Sequence, residues 1–193
     1  MAQVKKEQVR EAILRSAYEL FREKGFNNCP MSEIARAAGT SVANLYVYFP
    51  SKLQLFYEVY APIITSRLMK LASDAQNMDD LEERLRFILQ TLWRDIPKED
   101  NAFARNLIQA IATTSTDVDK PHEPLKWNVE FIHDLILNCL PEQRRFLFQD
   151  STVSFLVWMA FDGFAVNVGR GEDRDFDKMV YHFADMLLGK SAP

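Results

Sequence analysis

The sequence predicts an all-α protein: an N-terminal three-helix head of helix-turn-helix type, then a larger helical body, about nine helices in all. Three observations predict it. Apolar residues recur at three- and four-residue spacing along most of the chain, the period of an amphipathic helix. No segment alternates apolar and polar residues as a half-buried strand does. Glycine and proline are scarce, 6 and 8 in 193 residues, and mostly fall between the periodic segments, where they end helices.

Each element follows from local chemistry. Val9, Ile13, Leu14, Ala17, Leu20 and Phe21 make 5–24 an amphipathic helix, which Gly25 ends as a C′ glycine. Pro30 suits the first turn of a second helix, running to about Ala38. Gly39 breaks the pattern, and Ser41 caps a short third helix over 42–48. Ser51 caps a long fourth, with Leu53, Phe56, Val59, Tyr60 and Ile63 on one face and Pro62 as a kink. Asp79 or Asp80 opens a fifth, which Ile96-Pro97 ends, and 98–112 forms the next. Thr113–Pro124 is rich in Thr, Ser, Asp and Pro and reads as a loop. A helix spans 125–139. Pro141 opens a very apolar one to about Val168, and Gly169 and Gly171 mark a turn. Asp173 or Asp175 caps a last helix, which Gly189 ends.

Composition bounds the function. The chain is 48% apolar and 26% charged, a globular balance rather than a disordered one. Its longest unbroken apolar stretch lies around Phe155–Phe161, far short of a membrane span. No basic segment followed by an apolar run opens the sequence, so a cytoplasmic location is expected. Cys29 and Cys139 have neither a disulfide spacing nor a metal pattern. No glycine-rich phosphate loop, nucleophile elbow or paired-histidine motif is present, and His122, His133 and His182 stand far apart. No catalytic residue, metal ligand or cofactor is therefore assigned, and an enzyme is not expected. The net charge of −4 divides unevenly. Residues 1–60 carry eight basic and six acidic side chains, a net of +2, and the rest carry 15 and 21, a net of −6. A mildly basic head on an acidic body suits a protein of which one end meets phosphate.

The strongest local signal is 31–49, MSEIARAAGTSVANLYVYF. Ala35 is small enough to let two helices cross closely, and Gly39 supplies the turn between them. Ile34, Ala38 and Leu45 close a small core with Leu20 and Phe21, which holds 42–48 outward as a helix for the major groove. Tyr46, Tyr48 and Lys52 follow where they can reach phosphates, and Lys5, Lys6 and Arg10 lie at the edge of such a footprint.

Residues 13–56 resemble the tetracycline-repressor (TetR) family of bacterial transcription regulators. The matching positions are Ala17, Leu20, Phe21, Gly25 and Phe26, then Ile34-Ala35, Ala38-Gly39, Leu45-Tyr46-x-Tyr48-Phe49 and Ser51-Lys52. They cover the first quarter to third of the chain. The resemblance implies a DNA-binding domain over 1–50 and a helical effector-binding and dimerisation domain over 51–193. By position it implies that Val42 and Ala43 face base edges, with Val47 joining them, and that Asn44 reaches a base or a phosphate. Tyr46, Tyr48 and Lys52 would hold phosphates, and Ser41 would cap the recognition helix and donate to a phosphate. Three departures stand out. Cys29 and Pro30 replace the family's usual Thr or Ser, so the phosphate contact there weakens or passes to Asn28 or Ser32. Val42 replaces a residue that is often basic, leaving an unusually apolar contact surface. Thr40 stands where a buried Val is common, and its hydroxyl is expected to bond locally.

The body poses a burial problem. Residues 145–168 are apolar on more than one face, and 175–188 carry a broad stripe of Phe and Met. A helix apolar all round must be buried on all sides. Pairing both segments with their symmetry mates in a four-helix bundle solves it, and the resemblance implies the same homodimer. The expected interface residues are Phe155, Asp162, Gly163, Val166, Phe176, Met179, Phe183 and Met186. Such a dimer sets two recognition helices about 34–36 Å apart, matched to a palindromic operator in double-stranded DNA. The resemblance also implies a pocket for a small, largely hydrophobic effector that relieves repression. Trp93, Phe103, Leu107, Trp127, Phe131, Phe155, Trp158 and Met159 are its candidate lining, although such aromatics also serve as core. The alternatives are an effector-independent regulator or activator, and a dimeric helical module that does not bind DNA.

Overall fold

A computed structural model describes residues 2–100, 102–113, 123–167 and 175–190. Ten α-helices follow in chain order. They are α1 (Ala2–Lys24), α2 (Met31–Ala37), α3 (Val42–Tyr48), α4 (Lys52–Gln76) and α5 (Leu81–Gln90). A π-helical turn (Thr91–Asp95) joins α5 to α6 (Ile96–Glu99). Then come α7 (Phe103–Thr113), α8 (Glu123–Leu137), a 3-10 segment (Glu142–Phe148), α9 (Thr152–Asn167) and α10 (Phe176–Leu188). With 81–99 counted as one run there are nine helices among the described residues, and no strand, as the periodicity predicts.

The chain packs as two compact units. Residues 1–64 and 101–121 form the head unit, and 65–100 and 122–193 form the body unit. In the head unit, Ile13, Ala17, Phe21, Ile34, Ala35, Leu45 and Phe49 are buried, whereas Leu20 and Ala38, also expected in this core, are only half-buried. Gly25 and Gly39 take φ of +74° and +67°, and each ends a helix where the sequence places the break. Ser51 Oγ accepts from the Gln54 N–H at 3.1 Å, capping α4. An aromatic cluster completes this unit: Phe21 meets Phe56 edge-on at 4.9 Å, and Phe103 of α7 stacks on Tyr18 at 5.5 Å and on Tyr60 at 6.0 Å.

In the body unit, the Asp80 carboxylate accepts the N–H groups of Glu82 and Glu83 at 2.8 and 2.9 Å, so Asp80 rather than Asp79 caps α5. Arg86 clasps both Glu82 and Asp185, tying α5 to α10. Gly189, at φ +75°, ends α10.

Four expectations change. Ile96-Pro97 does not end the fifth helix, because the chain stays helical to Glu99. In a regular helix the Pro97 ring presses on the carbonyl four residues back, at Trp93. The π-turn, in which Ile96 N–H reaches Thr91 O, widens the coil there and makes room. The next helix begins at Phe103 rather than at 98, because Ala102 adopts the left-handed φ of +65° and breaks the path. Pro141 opens a 3-10 segment rather than one long helix, and α9 starts afresh at Thr152, whose N–H donates to Asp150 Oδ1 at 2.9 Å. The polar loop is shorter than expected, since Thr113 closes α7 and Glu123 and Pro124 open α8. The rest of that loop, His122, Val168, the Gly169–Gly171 turn and Asp173 lie outside the described residues. Asp175 stands at the N-cap of α10 but makes no capping bond.

Candidate nucleic-acid interface

Helix α3 is seven residues long, and three contacts set it. Ser41 Oγ accepts from the Asn44 N–H at 3.1 Å, satisfying one of the free donors at the start of α3. Leu45 is fully buried and pins the helix against the head core. The Asn44 amide donates to Thr40 Oγ1 at 2.8 Å, the local bond expected of Thr40. Helical geometry then decides what faces outward. At about 100° per residue, Ala43 and Val47 lie opposite Leu45, with Tyr46 about 100° and Val42 about 60° around the helix from it. They are exposed, Val42 by 38%, Tyr46 by 46% and Val47 by 72%, whereas Asn44 and Tyr48 are half-buried on the flanks.

The residues around α3 carry the charge. The Lys52 ammonium lies 4.4 Å from the centre of the Phe26 ring, and burial holds its pKa below the usual lysine value. Arg10 pairs with Glu58 at 2.7 Å and Lys24 with Glu33 at 2.5 Å, while Arg36 is 81% exposed. At the start of α2, Pro30 occupies the N-cap with no side-chain bond, and Cys29 is buried with its thiol pKa raised by desolvation. Of the two substitutes the sequence offered, Asn28 donates its amide to Lys24 O, and Ser32 is exposed.

The family model for bacterial regulatory proteins of the tetR family matches residues 13–59, the stretch that builds this interface. Over these residues the chain is similar to the TetR family. The HTH-type transcriptional regulator RutR of Escherichia coli strain K12 is 31% identical over 102 residues, 51% of this chain and 48% of RutR. The chain thus spans about half the length of the curated relatives it matches. The solved structure of RolR in complex with resorcinol superimposes with a TM-score of 0.68 at 23% identity, over 100% of this chain and 92% of that one. AibR in complex with isovaleryl coenzyme A and operator DNA gives 0.55 at 21%, over 95% and 100%. These likenesses show the same all-α fold over nearly the whole chain.

The candidate pocket residues fall in different environments. Phe103 and Leu107 belong to the head unit, where Phe103 fills the aromatic cluster. Trp93 is core: its indole N–H donates to Val157 O at 2.9 Å, and its ring meets Phe164 and Phe183. Trp158 is buried and stacks on Phe161 at 4.8 Å. Trp127 is exposed by 38% and stacks on Phe131 at 5.0 Å, and Phe155 and Met159 are exposed. A cleft of about 200 Å³ does lie in the body unit, between the second half of α4 and the α5–α6 run. Leu71, Phe87 and Ile96 line it beside Arg67, Lys70, Asp74, Thr91, Asp95 and Glu99, none of them singled out from the sequence. The π-turn that helps form it has no sequence signal of its own.

The candidate dimer residues fall in three environments. Phe155, Gly163, Met179 and Met186 are exposed. Asp162, Val166 and Phe183 are half-buried, and burial raises the Asp162 carboxyl to about 6. Phe176 is buried within its own unit, edge-on to Phe164 at 5.3 Å and beneath the Arg94 guanidinium. Among the described residues, no cluster of His, Cys, Asp and Glu could hold a metal, and no helix is long and apolar enough to cross a membrane.

Proposed function

We propose that the chain is a sequence-specific DNA-binding transcriptional regulator, a homodimeric repressor released from a palindromic operator by a small, largely hydrophobic effector. The observation that carries this reading is the exposed face of α3, capped by Ser41 and anchored by Leu45, so that four side chains project from a short helix. A helix presented in that way fits a major groove. The reading assigns base contacts to Val42, Ala43 and Val47, and phosphate contacts to Tyr46, Tyr48 and Lys52. It assigns DNA binding to residues 1–50 and effector binding and dimerisation to 51–193, and it sets the protein's work in the cytoplasm.

Dimerisation is supported by α9, which exposes Phe155, Leu156, Met159 and Gly163. A patch of that kind marks an interaction surface. A Cβ built on Gly163 meets nothing within 4 Å, which leaves a partner helix room for close approach. RutR, RolR and AibR support a regulator of this class, and the resorcinol and isovaleryl coenzyme A in the last two structures support a partly apolar effector.

Footprinting of purified protein on the DNA flanking its own gene tests the reading. A protected palindrome and a dimer in sedimentation are the expected results, with mass spectrometry identifying any effector retained on purification. An intact dimer that protects no site at low salt favours the module without DNA binding. Transcription measured with and without the gene separates repressor from activator.

A further inference from the structure

The outward side of α3 narrows what the operator can present, granted the DNA-binding reading above. The exposed residues of α3 are Val42, Ala43, Tyr46 and Val47, three of them aliphatic. No residue of α3 is charged. Guanine is read through hydrogen bonds by Arg or Lys, cytosine by Asp or Glu, and adenine by an Asn or Gln amide set in the base plane. None of these side chains stands on the outward side. The one amide on the helix, Asn44, is half-buried on a flank and held by Thr40 Oγ1 at 2.8 Å. The contact left to an aliphatic carbon in the major groove is the C5-methyl group of thymine.

We propose that Val42, Ala43 and Val47 read thymine methyl groups, so that each operator half-site is rich in A·T pairs under α3. Specificity then comes from burying methyls rather than from hydrogen bonds to base edges. Thr40 and Asn44 act as positioning residues, holding the first turn of α3 so that the aliphatic side faces the groove. The Tyr46 hydroxyl, at the border of that side, remains available to a phosphate.

Selecting operators from a random DNA pool with the full chain separates two failures. If no site is enriched, the DNA-binding reading itself falls. An enriched site with G·C pairs beneath α3 leaves that reading standing and overturns this one. In the selected operator, thymines are then replaced singly by uracil, which removes only the methyl. At a contacted position binding weakens about fourfold, the worth of one buried methyl group. A Val47→Ala protein loses less on the same replacement at its own base, and circular dichroism confirms that this exposed position leaves the fold intact. Equal affinity for thymine and uracil at every position overturns the proposal.

Discussion

The head and the body both expose apolar side chains, but they do so differently. On the head, the exposed face of α3 is small and mostly aliphatic, and Asn44, Tyr48 and Lys52 border it. On the body, α9 alone exposes Phe155, Leu156 and Met159, with Met179, Tyr181 and Met186 exposed on α10. A narrow face with a polar border suits a groove whose walls are phosphate and whose floor carries isolated methyls. Broad, flexible Phe, Leu and Met surface suits another apolar surface of the same kind. Exposed apolar surface on the two units therefore points to different partners, and the extent and border of each patch tell them apart.

The largest expected effect separates the units most sharply. Leu45→Ala removes a fully buried anchor from the head and should cost about 2–5 kcal/mol. Thermal unfolding should show the head melting early, with specific DNA binding lost and the dimer retained. Loss of the dimer as well would mean that the head helps to hold it. Met159→Glu places a charge on the exposed face of α9 and should weaken dimerisation at least tenfold, since the carboxylate must lose its water on association. Sedimentation equilibrium measures this, and an unchanged dimer would move the interface elsewhere.

A smaller effect depends on pH. Burial raises the folded Asp162 carboxyl to about 6, above the roughly 3.9 of an unfolded chain. Between those values the folded state binds more protons, so stability falls as pH rises through about 6. Asp162→Asn should therefore raise stability at pH 7.5 by on the order of 1–2 kcal/mol and change little at pH 4. Denaturant melts at the two pH values check it, and an equal shift at both would show that the charge is not the cause. The smallest effect is at the cap. Ser41→Ala should cost about 1 kcal/mol and weaken DNA binding without touching the dimer.

How much was legible in advance depends on the range of the interaction. Gly25, Gly39, Ser41, Ser51 and Asp80 act within four residues of themselves, and each ends or caps a helix at a place the sequence predicts. The outward face of α3 was nearly as readable, because one buried leucine in a seven-residue helix orients all the others. The body resisted such reading. Pro97 breaks helices by local rule, yet a π-turn carries the chain past it. Phe103 has the same composition signal as any pocket aromatic, and only its stacking on Tyr18 and Tyr60 reveals a place in the head unit.

Helical periodicity and turn chemistry were thus enough to specify an all-α chain, its head and the short helix that the head presents. They work because caps, glycine turns and amphipathic faces are decided by neighbours in sequence. The destination of each aromatic was settled in three dimensions. Trp93 is a core residue because a carbonyl from α9 meets its indole N–H, and Trp127 is an exposed one because nothing folds over it within the described residues. A large ring buries wherever distant segments leave space of its shape, and that space exists only once the helices have packed.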